Sequence, residues 1–444
     1  LNYSLNGPYL YWKEGQWSSV TVDTINDGKI HEVVIKNSEL ELIERRDLNL
    51  YTTDTMIQMR VFNPDPLSPH GLAYGGAYTD MNDGNGSVLD SLTIVDVIDV
   101  DAVGSSVYLK NKYIEVIDFD APYIPISTNP SKWLDGRSSD EFEQVMVTYH
   151  ITKQNQYLEA LGYNALLNYA IHVDPQALNG QDNSMFNWGT TPPRLFFGEG
   201  GVDDAEDADV IIHELGHAIS HGAAPNTTNG IERRTFDEAL GDYFAERYGR
   251  LSGVKSTRIF NWDGNNTFWD GRSAVYDGVK NYQNLVFFSI YEHTDIMTSA
   301  MLEFSENLAV NDSVADKIVL ESLYQLMPFQ SLNGVAKNML SADSLITGGL
   351  YNHHIYDAFG SPKNILQLFH LEDAVTLSKP ELFYADGFTI KIPKNQIFEY
   401  VFYNIDGRII QSGCLKETSN FNIKEPLVIH LKNSNGLTTI LKKL

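Results

Sequence analysis

The chain has 444 residues, enough for two or three domains of ordinary size. Hydrophobic residues make up 43% of it and charged residues 20%, which permits a sizeable core and argues against a wholly disordered chain. The net charge is 32 − 58 = −26, which argues against nucleic acid and anionic membrane surfaces as partners. Cys414 is the one cysteine, so a disulfide within the chain and a cysteine-rich metal site are excluded.

The start of the sequence carries no clear targeting segment. No stretch approaches the ~18 apolar residues of a membrane span. The sequence begins at Leu1, without a Met and without the basic and apolar segments of a signal peptide. We expect either that a signal has been removed or that the numbering begins inside a precursor, and both alternatives stay open.

The first third of the chain is predicted to be rich in strands. Residues 1–60 contain alternating segments separated by turn residues. Residues 62–86 are rich in Pro, Gly, Asn and Asp and are predicted to be irregular. β-Branched and aromatic residues return between 90 and 126. From about residue 140 the apolar spacing becomes three or four, which predicts a helix through residue 161.

Helices dominate the predictions for the rest of the chain until its last segment. Residues 170–200 are predicted to be extended. One helix is predicted from residue 203 or 204 to 222, and another from 235 to about 251. Helical spacing fills most of 283–372, and short strands return from residue 382. Runs of strands followed by runs of helices indicate the α+β class.

The sharpest local pattern is His213-Glu214-Leu215-Gly216-His217. Positions i and i+4 of a helix share one face, so the two imidazoles can reach one tetrahedral zinc ion at the usual ~2.0–2.1 Å. Glu214 can then act as a base towards a metal-bound water. The alternative is a chance match, but the apolar residues just before the motif favour a functional helix.

Glu238 is the predicted third ligand. His221 continues the i, i+4 series, but eight residues of helix rise by about 12 Å, so His213 and His221 cannot bind one ion. Glu238 lies 21 positions after His217, which allows a loop and the start of a second, antiparallel helix. Asp242, one turn further on, could accept the N–H of a zinc-bound histidine.

A second interpretation of Glu238 stays open. Thr235 and Glu238 have the spacing of a capping box, in which the two side chains bind backbone N–H groups at a helix start. One carboxylate cannot easily both cap a helix and bind a metal.

The motif from His213 to His217, followed by Glu238 and Asp242, resembles the pattern of the gluzincin metallopeptidases of the thermolysin-like and fungalysin-like type. The resemblance implies that His213, His217 and Glu238 bind zinc, that Glu214 is catalytic and that Asp242 supports the site. It implies a secreted zinc endopeptidase with a β-rich N-terminal subdomain and a helical C-terminal subdomain. An extended peptide substrate would bind in the cleft between them.

The resemblance extends to an edge strand. Residues 183–186 and 197–200 are similar to the segments that bind the substrate backbone in thermolysin-like enzymes. This implies that Asn183 and Ser184 bind substrate. Residues 183–242 are the specific part of the match.

The irregular segment resembles bacterial fungalysin-type peptidases at residues 62–67, Tyr74 and Asp80. Residues 80–86 also suggest a calcium loop, although they lack the spacing and terminal glutamate of an EF-hand. Asp209 aligns with a calcium ligand of the family. Asp-rich turns are common without calcium, so structural calcium stays open.

The sequence departs from the family at one functional position. Family members often carry an oxyanion-stabilising tyrosine between the second histidine and the glutamate ligand, and residues 218–237 contain no tyrosine. His293 resembles the family's oxyanion-binding histidine. The alternative is a structural histidine whose ring nitrogens find hydrogen-bond partners near a helix start.

Four segments are predicted: 1–60, 61–230 with the motif helix, 231–379, and 380–444. The first is either the end of a propeptide or an ordinary β extension. The last resembles the sorting domain of type IX secretion, with the alternative of a generic β-sandwich. The resemblance thus implies a secreted or cell-surface protein that uses the type IX machinery. The rival functions are a catalytically silent zinc-binding or adhesion protein and an aminopeptidase of the same clan.

Overall fold

The computed structural model describes residues 53–84, 86–265, 269–307 and 312–367, together with strands before residue 53 and strands with short connections after residue 380. The chain divides into two compact units, 1–367 and 368–444. The linker predicted near residues 378–380 lies outside the described residues. The other predicted segment boundaries stay predictions.

The first unit begins with five strands: β1 (Tyr9–Lys13), β2 (Gln16–Val20), β3 (His31–Lys36), β4 (Glu41–Asp47) and β5 (Thr53–Val61). β1 pairs with β2 and β3 with β4, both antiparallel. After a short helix α1 (Gly86–Leu89), β6 (Ile94–Val103) pairs antiparallel with β5 along its whole length. β7 (Ser106–Val107) completes this three-stranded sheet. β5 therefore crosses the boundary predicted after residue 60.

A second sheet borders the helical part of the unit. It contains β8 (Ile114–Val116), β9 (Ile171–Asp174), β10 (Ser184–Asn187) and β11 (Arg194–Phe197), in the order β10-β11-β9-β8. β10 is an edge strand and pairs antiparallel with β11, whereas the other neighbours are parallel. α2 (Glu141–Leu161) lies between β8 and β9 in the chain, and 15 of its 21 residues are buried because it packs against both sheets and the helices.

The helical part of the unit follows. Its elements are α3 (Ala208–Ala223), α4 (Ile231–Leu251), the strand pair β12 (Arg258–Ile259) and β13 (Arg272–Ser273), α5 (Thr294–Asn307), α6 (Asp312–Leu323), α7 (Leu332–Thr347) and α8 (Asn352–Phe359). The predicted α+β class, with a β-rich first part and a helical second part, is confirmed. None of the described helices is long and apolar enough to cross a membrane.

Both predicted helix starts near the motif differ from the structure. Residues 204–206 form a 3-10 turn, and α3 begins after Asp207, whose side chain accepts the N–H of Asp209. α4 begins at Ile231, four residues before the expected start, because Gly230 supplies the non-helical N-cap.

Two glycines let α3 and α4 cross closely. A Cβ on Gly216 would lie 2.9 Å from the Cα of Gly241. A Cβ on Gly241 would lie 2.5 Å from Nδ1 of His213, closer than real Cβ contacts. Glycine at both positions therefore lets the imidazole of His213 lie directly against α4.

The second unit is a small β domain. Its strands are β14 (Glu381–Tyr384), β15 (Phe388–Lys391), β16 (Phe398–Asn404), β17 (Ile409–Leu415), β18 (Ser419–Phe421), β19 (Leu427–Asn433) and β20 (Thr438–Lys443). They form two antiparallel sheets, β14-β15-β18 and β17-β16-β19-β20. Ile390 of the first sheet and Phe402 and Ile429 of the second share one buried cluster. This is the small β-sandwich predicted for the C-terminal segment.

Candidate metal centre

Three side chains of the motif helices converge. His213 and His217 lie one turn apart on α3, with ring centroids 4.9 Å apart. α4 brings Glu238 opposite them: its Oε2 lies 3.4 Å from Nε2 of His213 and its Oε1 3.8 Å from Nε2 of His217. One ligand atom from each residue lies within 4.8 Å of the others. Ligand atoms of a tetrahedral zinc site lie roughly 3.4 Å apart, so the donor set and its spacing fit zinc.

The other imidazole nitrogens face two carboxylates. Nδ1 of His217 donates to Oδ2 of Asp237 at 2.9 Å. Nδ1 of His213 lies 3.0 Å from Oδ1 of Asp242. Both Nε2 atoms are therefore left to face Glu238, which is the orientation that a metal-binding histidine needs. The sequence predicted the place of Asp242 but missed Asp237, although Asp237 directly precedes the predicted ligand.

Asp237 is itself held by buried partners. Its Oδ1 accepts from Ser220 Oγ at 2.5 Å and from Arg233 Nη1 at 3.0 Å, and Arg233 is fully buried. Burial alone would raise the pKa of Asp237, but His217, Arg233 and Ser220 together hold it well below its usual range. Asp237 therefore stays ionised beside the imidazole.

The carboxylates around the two imidazoles create an electrostatic environment that favours positive charge. Burial alone would lower the pKa of His217, but Asp237 and Glu238 outweigh it and raise that pKa to about 10. Burial would raise the pKa of Glu238, but His213, His217 and Arg272 lower it to about 2. The same arrangement that attracts a proton would attract a metal ion.

The structure excludes one of the two interpretations of Glu238, the capping box. α4 begins at Ile231, so Thr235 and Glu238 lie inside the helix and not at its first free N–H groups. The capping-box interpretation is wrong. The carboxylate of Glu238 faces the two imidazoles instead.

Arg272 on β13 is a site residue that the sequence did not reveal. Its Nη1 donates to Oδ1 of Asp242 at 2.7 Å, and its Nη2 lies 3.3 Å from Oε2 of Glu238. Its guanidinium carbon lies 5.0 Å from the ring centroid of Tyr291. A lone arginine in an irregular segment gives no spacing pattern, so only the fold reveals its place.

Glu214 is a buried carboxylate without a fixed partner. It is 7% exposed, and its Oε2 has no hydrogen-bond partner among the described residues. Burial raises its pKa, while His217 and His213 partly oppose this effect. A carboxylate in this state beside two imidazoles is suited to accept and return a proton.

The site opens into a cleft of about 1060 Å³. One wall is the edge strand β10 and the residues before it, and it includes Asn183 and Ser184, the two residues that the sequence predicts to bind substrate. The backbone carbonyl of Asn183 accepts the N–H of Gly198, and the hydroxyl of Ser184 donates to the carboxylate of Asp204. Tyr291 also lines the cleft.

Two further histidines were singled out by the sequence. His293 does not line the cleft: its Nε2 lies 3.1 Å from the carbonyl oxygen of Val286, and its ring packs against Phe287. The structure therefore does not place His293 where an oxyanion would form. His221 does line the cleft, where it stacks on Trp188, and it takes no part in the His213 cluster.

Arginine takes the place of calcium near Asp80. Arg137 is fully buried, and its Nη2 lies 2.6 Å from Asp80, 2.6 Å from Glu206 and 3.1 Å from Asp83. These acids already have a cation, so the contacts do not support the predicted calcium loop. Asp209 likewise uses its carboxylate to accept a backbone N–H, that of Phe260.

Comparison with solved structures gave a weak likeness, whereas the comparisons by sequence gave none. No family model and no curated protein matches the chain. Among solved structures, the chain is similar to the precursor of protealysin, a metalloproteinase from Serratia proteamaculans. The two share 11% sequence identity, the match covers 52% of this chain and 82% of that chain, and the TM-score is 0.41. The proposals below therefore rest on the residues of this chain.

Proposed function

We propose that this chain is a zinc-dependent endopeptidase. The observation that carries the proposal is the convergence of His213, His217 and Glu238 beside the orphaned, buried carboxylate of Glu214, all in one cleft. A scaffold that only stored zinc would have no use for Glu214 in this place. The position of Glu214 therefore favours catalysis over a silent zinc-binding protein.

The residues of α3 and α4 have different roles in the proposed reaction. His213, His217 and Glu238 would hold zinc, and Asp237 and Asp242 would fix the imidazoles. When bound, zinc supplies a Lewis acid that lowers the pKa of a water molecule to about 7. Glu214 accepts the proton of the attacking water and returns it to the leaving amine.

Tyr291 is the donor that we assign to the developing oxyanion. It lines the cleft beside Arg272, and Glu214 and Glu238 line the same cleft. A phenol hydroxyl at this wall can donate a hydrogen bond to the substrate oxygen. Tyr291 thus takes the role that the sequence suggested for His293.

The edge strand supports an extended substrate. β10 has a neighbour on one side, β11, and the residues of β10 line the cleft. A peptide can add to such an edge through backbone hydrogen bonds. This mode of binding needs no free terminus, which favours an endopeptidase over an aminopeptidase.

Secretion is a proposal about the second unit. Residues 368–444 form a separate unit with its own core, as expected of a sorting module. We propose that this unit directs the protein through type IX secretion to the medium or the cell surface, where protein substrates would be cleaved.

Metal dependence tests the proposed function. The purified chain should contain about one zinc per molecule and cleave casein. A chelator should stop cleavage, and added zinc should restore it. A zinc-free chain that cleaves casein, or a zinc-loaded chain that does not, would contradict the proposal.

A further inference from the structure

A second acidic cluster lies in the same cleft. It consists of Asp182, which precedes β10, Asp204 in the turn before α3, and Asp263 between β12 and β13. One carboxylate oxygen from each lies within 4.8 Å of the others. Asp182 is exposed, whereas Asp204 and Asp263 are only 2% and 3% exposed. We call these three residues the acidic pocket.

The acidic pocket lacks a cation. Among the residues that the structure describes, no Lys or Arg forms an ion pair with any of its three carboxylates. The Asp80 cluster has Arg137 at its centre, so the two clusters differ in this respect. Oδ1 of Asp263 is buried and has no hydrogen-bond partner in the described part of the chain.

The charges around the acidic pocket repel one another. Burial raises the pKa of Asp204 well above its usual value, and the carboxylates of Asp182 and Glu214 add to the effect. Burial likewise raises the pKa of Asp263, with Asp204 and Asp207 adding to it. A positively charged group in the pocket would remove this repulsion.

The acidic pocket lies next to the proposed catalytic groups. Its three residues line the same cleft as His213 and Glu214. Val210, one turn before Glu214 on α3, lines the cleft as well. Because Glu214 and the acidic pocket line one cleft, a side chain beside the bond to be cleaved can enter the pocket.

We propose that the acidic pocket receives the Lys or Arg side chain of a substrate residue next to the scissile bond. This inference rests on the proposed peptidase function. An ammonium group offers three donors, which match three converging carboxylate oxygens, and a guanidinium offers five. The net charge of −26 would also attract basic substrates.

Cleavage specificity tests the inference directly. The zinc-loaded full-length chain is given two fluorogenic peptides that differ only in Lys or norleucine beside the scissile bond. We expect kcat/KM to be at least 10-fold higher for the Lys peptide. Mass spectrometry of casein digests should show cleavage on one fixed side of Lys and Arg.

Two variants test whether the Lys preference arises from the acidic pocket. Asp263→Asn and, separately, Asp204→Asn should lower the Lys-to-norleucine ratio of kcat/KM at least fivefold. Because both peptides are measured on one preparation, the ratio does not depend on the folded fraction. Asp135→Asn is the control, since Asp135 pairs with Lys132 at the surface, and it should leave the ratio unchanged.

The other outcomes are distinct. Equal or faster cleavage of the norleucine peptide would overturn the inference and leave the proposed function in place. A zinc-loaded chain that cleaves neither peptide nor casein would overturn both. A third outcome combines two results: the chain shows no Lys preference, and Tb³⁺ luminescence shows an ion that the wild type binds and Asp263→Asn does not. This outcome would make the pocket a metal site and overturn the inference.

Discussion

Each imidazole of the site uses its two nitrogens for different partners. His217 donates from Nδ1 to Asp237, and His213 places Nδ1 3.0 Å from Asp242, while both Nε2 atoms face Glu238. Removing either supporting carboxylate would free a ring to rotate, and such changes commonly cost 10–100-fold in metal affinity. The positions of Asp237 and Asp242 on one helix therefore fix the geometry of both histidines.

Glu238→Ala should abolish stoichiometric zinc binding. The variant removes a negatively charged ligand and leaves Arg272 beside two imidazoles, so a cation is no longer favoured. Zinc content after dialysis is the measurement. Glu159→Ala on the protein surface should keep zinc, whereas zinc retained in Glu238→Ala would show that Glu238 is not a ligand.

The sequence could predict only part of this site. His213 and His217 follow from helical spacing, because one helix face brings residues four apart together. Glu238 was predicted from its place on a second helix that follows a loop. Arg272 and Tyr291 come from segments without a periodic pattern, so their approach depends on tertiary packing. His293 was predicted to contribute, but local contacts with Val286 and Phe287 hold it outside the cleft.

The elements around the site are held by buried polar contacts as well as by apolar packing. His150 on α2 is fully buried: its Nε2–H donates to the carbonyl of Phe62, and its Nδ1 accepts from the hydroxyl of Tyr248 on α4. It thereby ties α2 to α4 and to the segment after β5. Burial is the main reason that the pKa of His150 is lowered to about 3.

The lowered pKa of His150 makes the free energy of unfolding depend on pH in a predictable way. The unfolded chain binds a proton at His150 below a pKa of 6.5, whereas the folded chain does so only near 3. The His150 contribution to the free energy of unfolding should therefore fall as the pH drops below 6.5, by about 2 kcal/mol at pH 5.

His150→Gln isolates this contribution. Glutamine offers an N–H and an oxygen at similar positions but does not titrate. Denaturant unfolding of both proteins at pH 7 and pH 5 gives the difference. The wild type should lose about 2 kcal/mol more than the variant, and equal losses would show that His150 titrates normally in the folded protein.

The predicted elements differ from the structure mainly at their ends. The apolar spacing predicted both ends of α2, because a helical pattern over 21 residues outweighs the preference of any single residue. α4 began four residues earlier than expected, because Gly230 serves as N-cap without a capping side chain. The close crossing of α3 and α4 was not predictable, since Gly216 and Gly241 form no motif within either helix.

At the scale of the whole molecule, the proposed chemistry belongs to the first unit. The metal-binding candidates, the cleft and the acidic pocket all lie within residues 1–367, and the second unit has its own buried cluster. The change from helices to short strands made this second unit predictable from the sequence. The role of the second unit in export stays a prediction.

A chain that ends at Lys379 tests the independence of the two units. It should fold, bind zinc and cleave casein at the wild-type rate, because no proposed catalytic residue is removed. In a type IX-secreting host it should stay inside the cell. Loss of peptidase activity in the purified short chain would make the second unit part of the enzyme, and normal export would contradict the sorting role.

The most direct test of the central claim is casein cleavage by Glu214→Gln at measured zinc content. Glu214 is not among the three converging ligands, so the variant should keep about one zinc per molecule. Without a carboxylate to accept the proton, kcat should fall by roughly 10²–10⁴-fold. Near wild-type turnover by the zinc-loaded variant would contradict the account of this chain as a peptidase that uses Glu214 as its base.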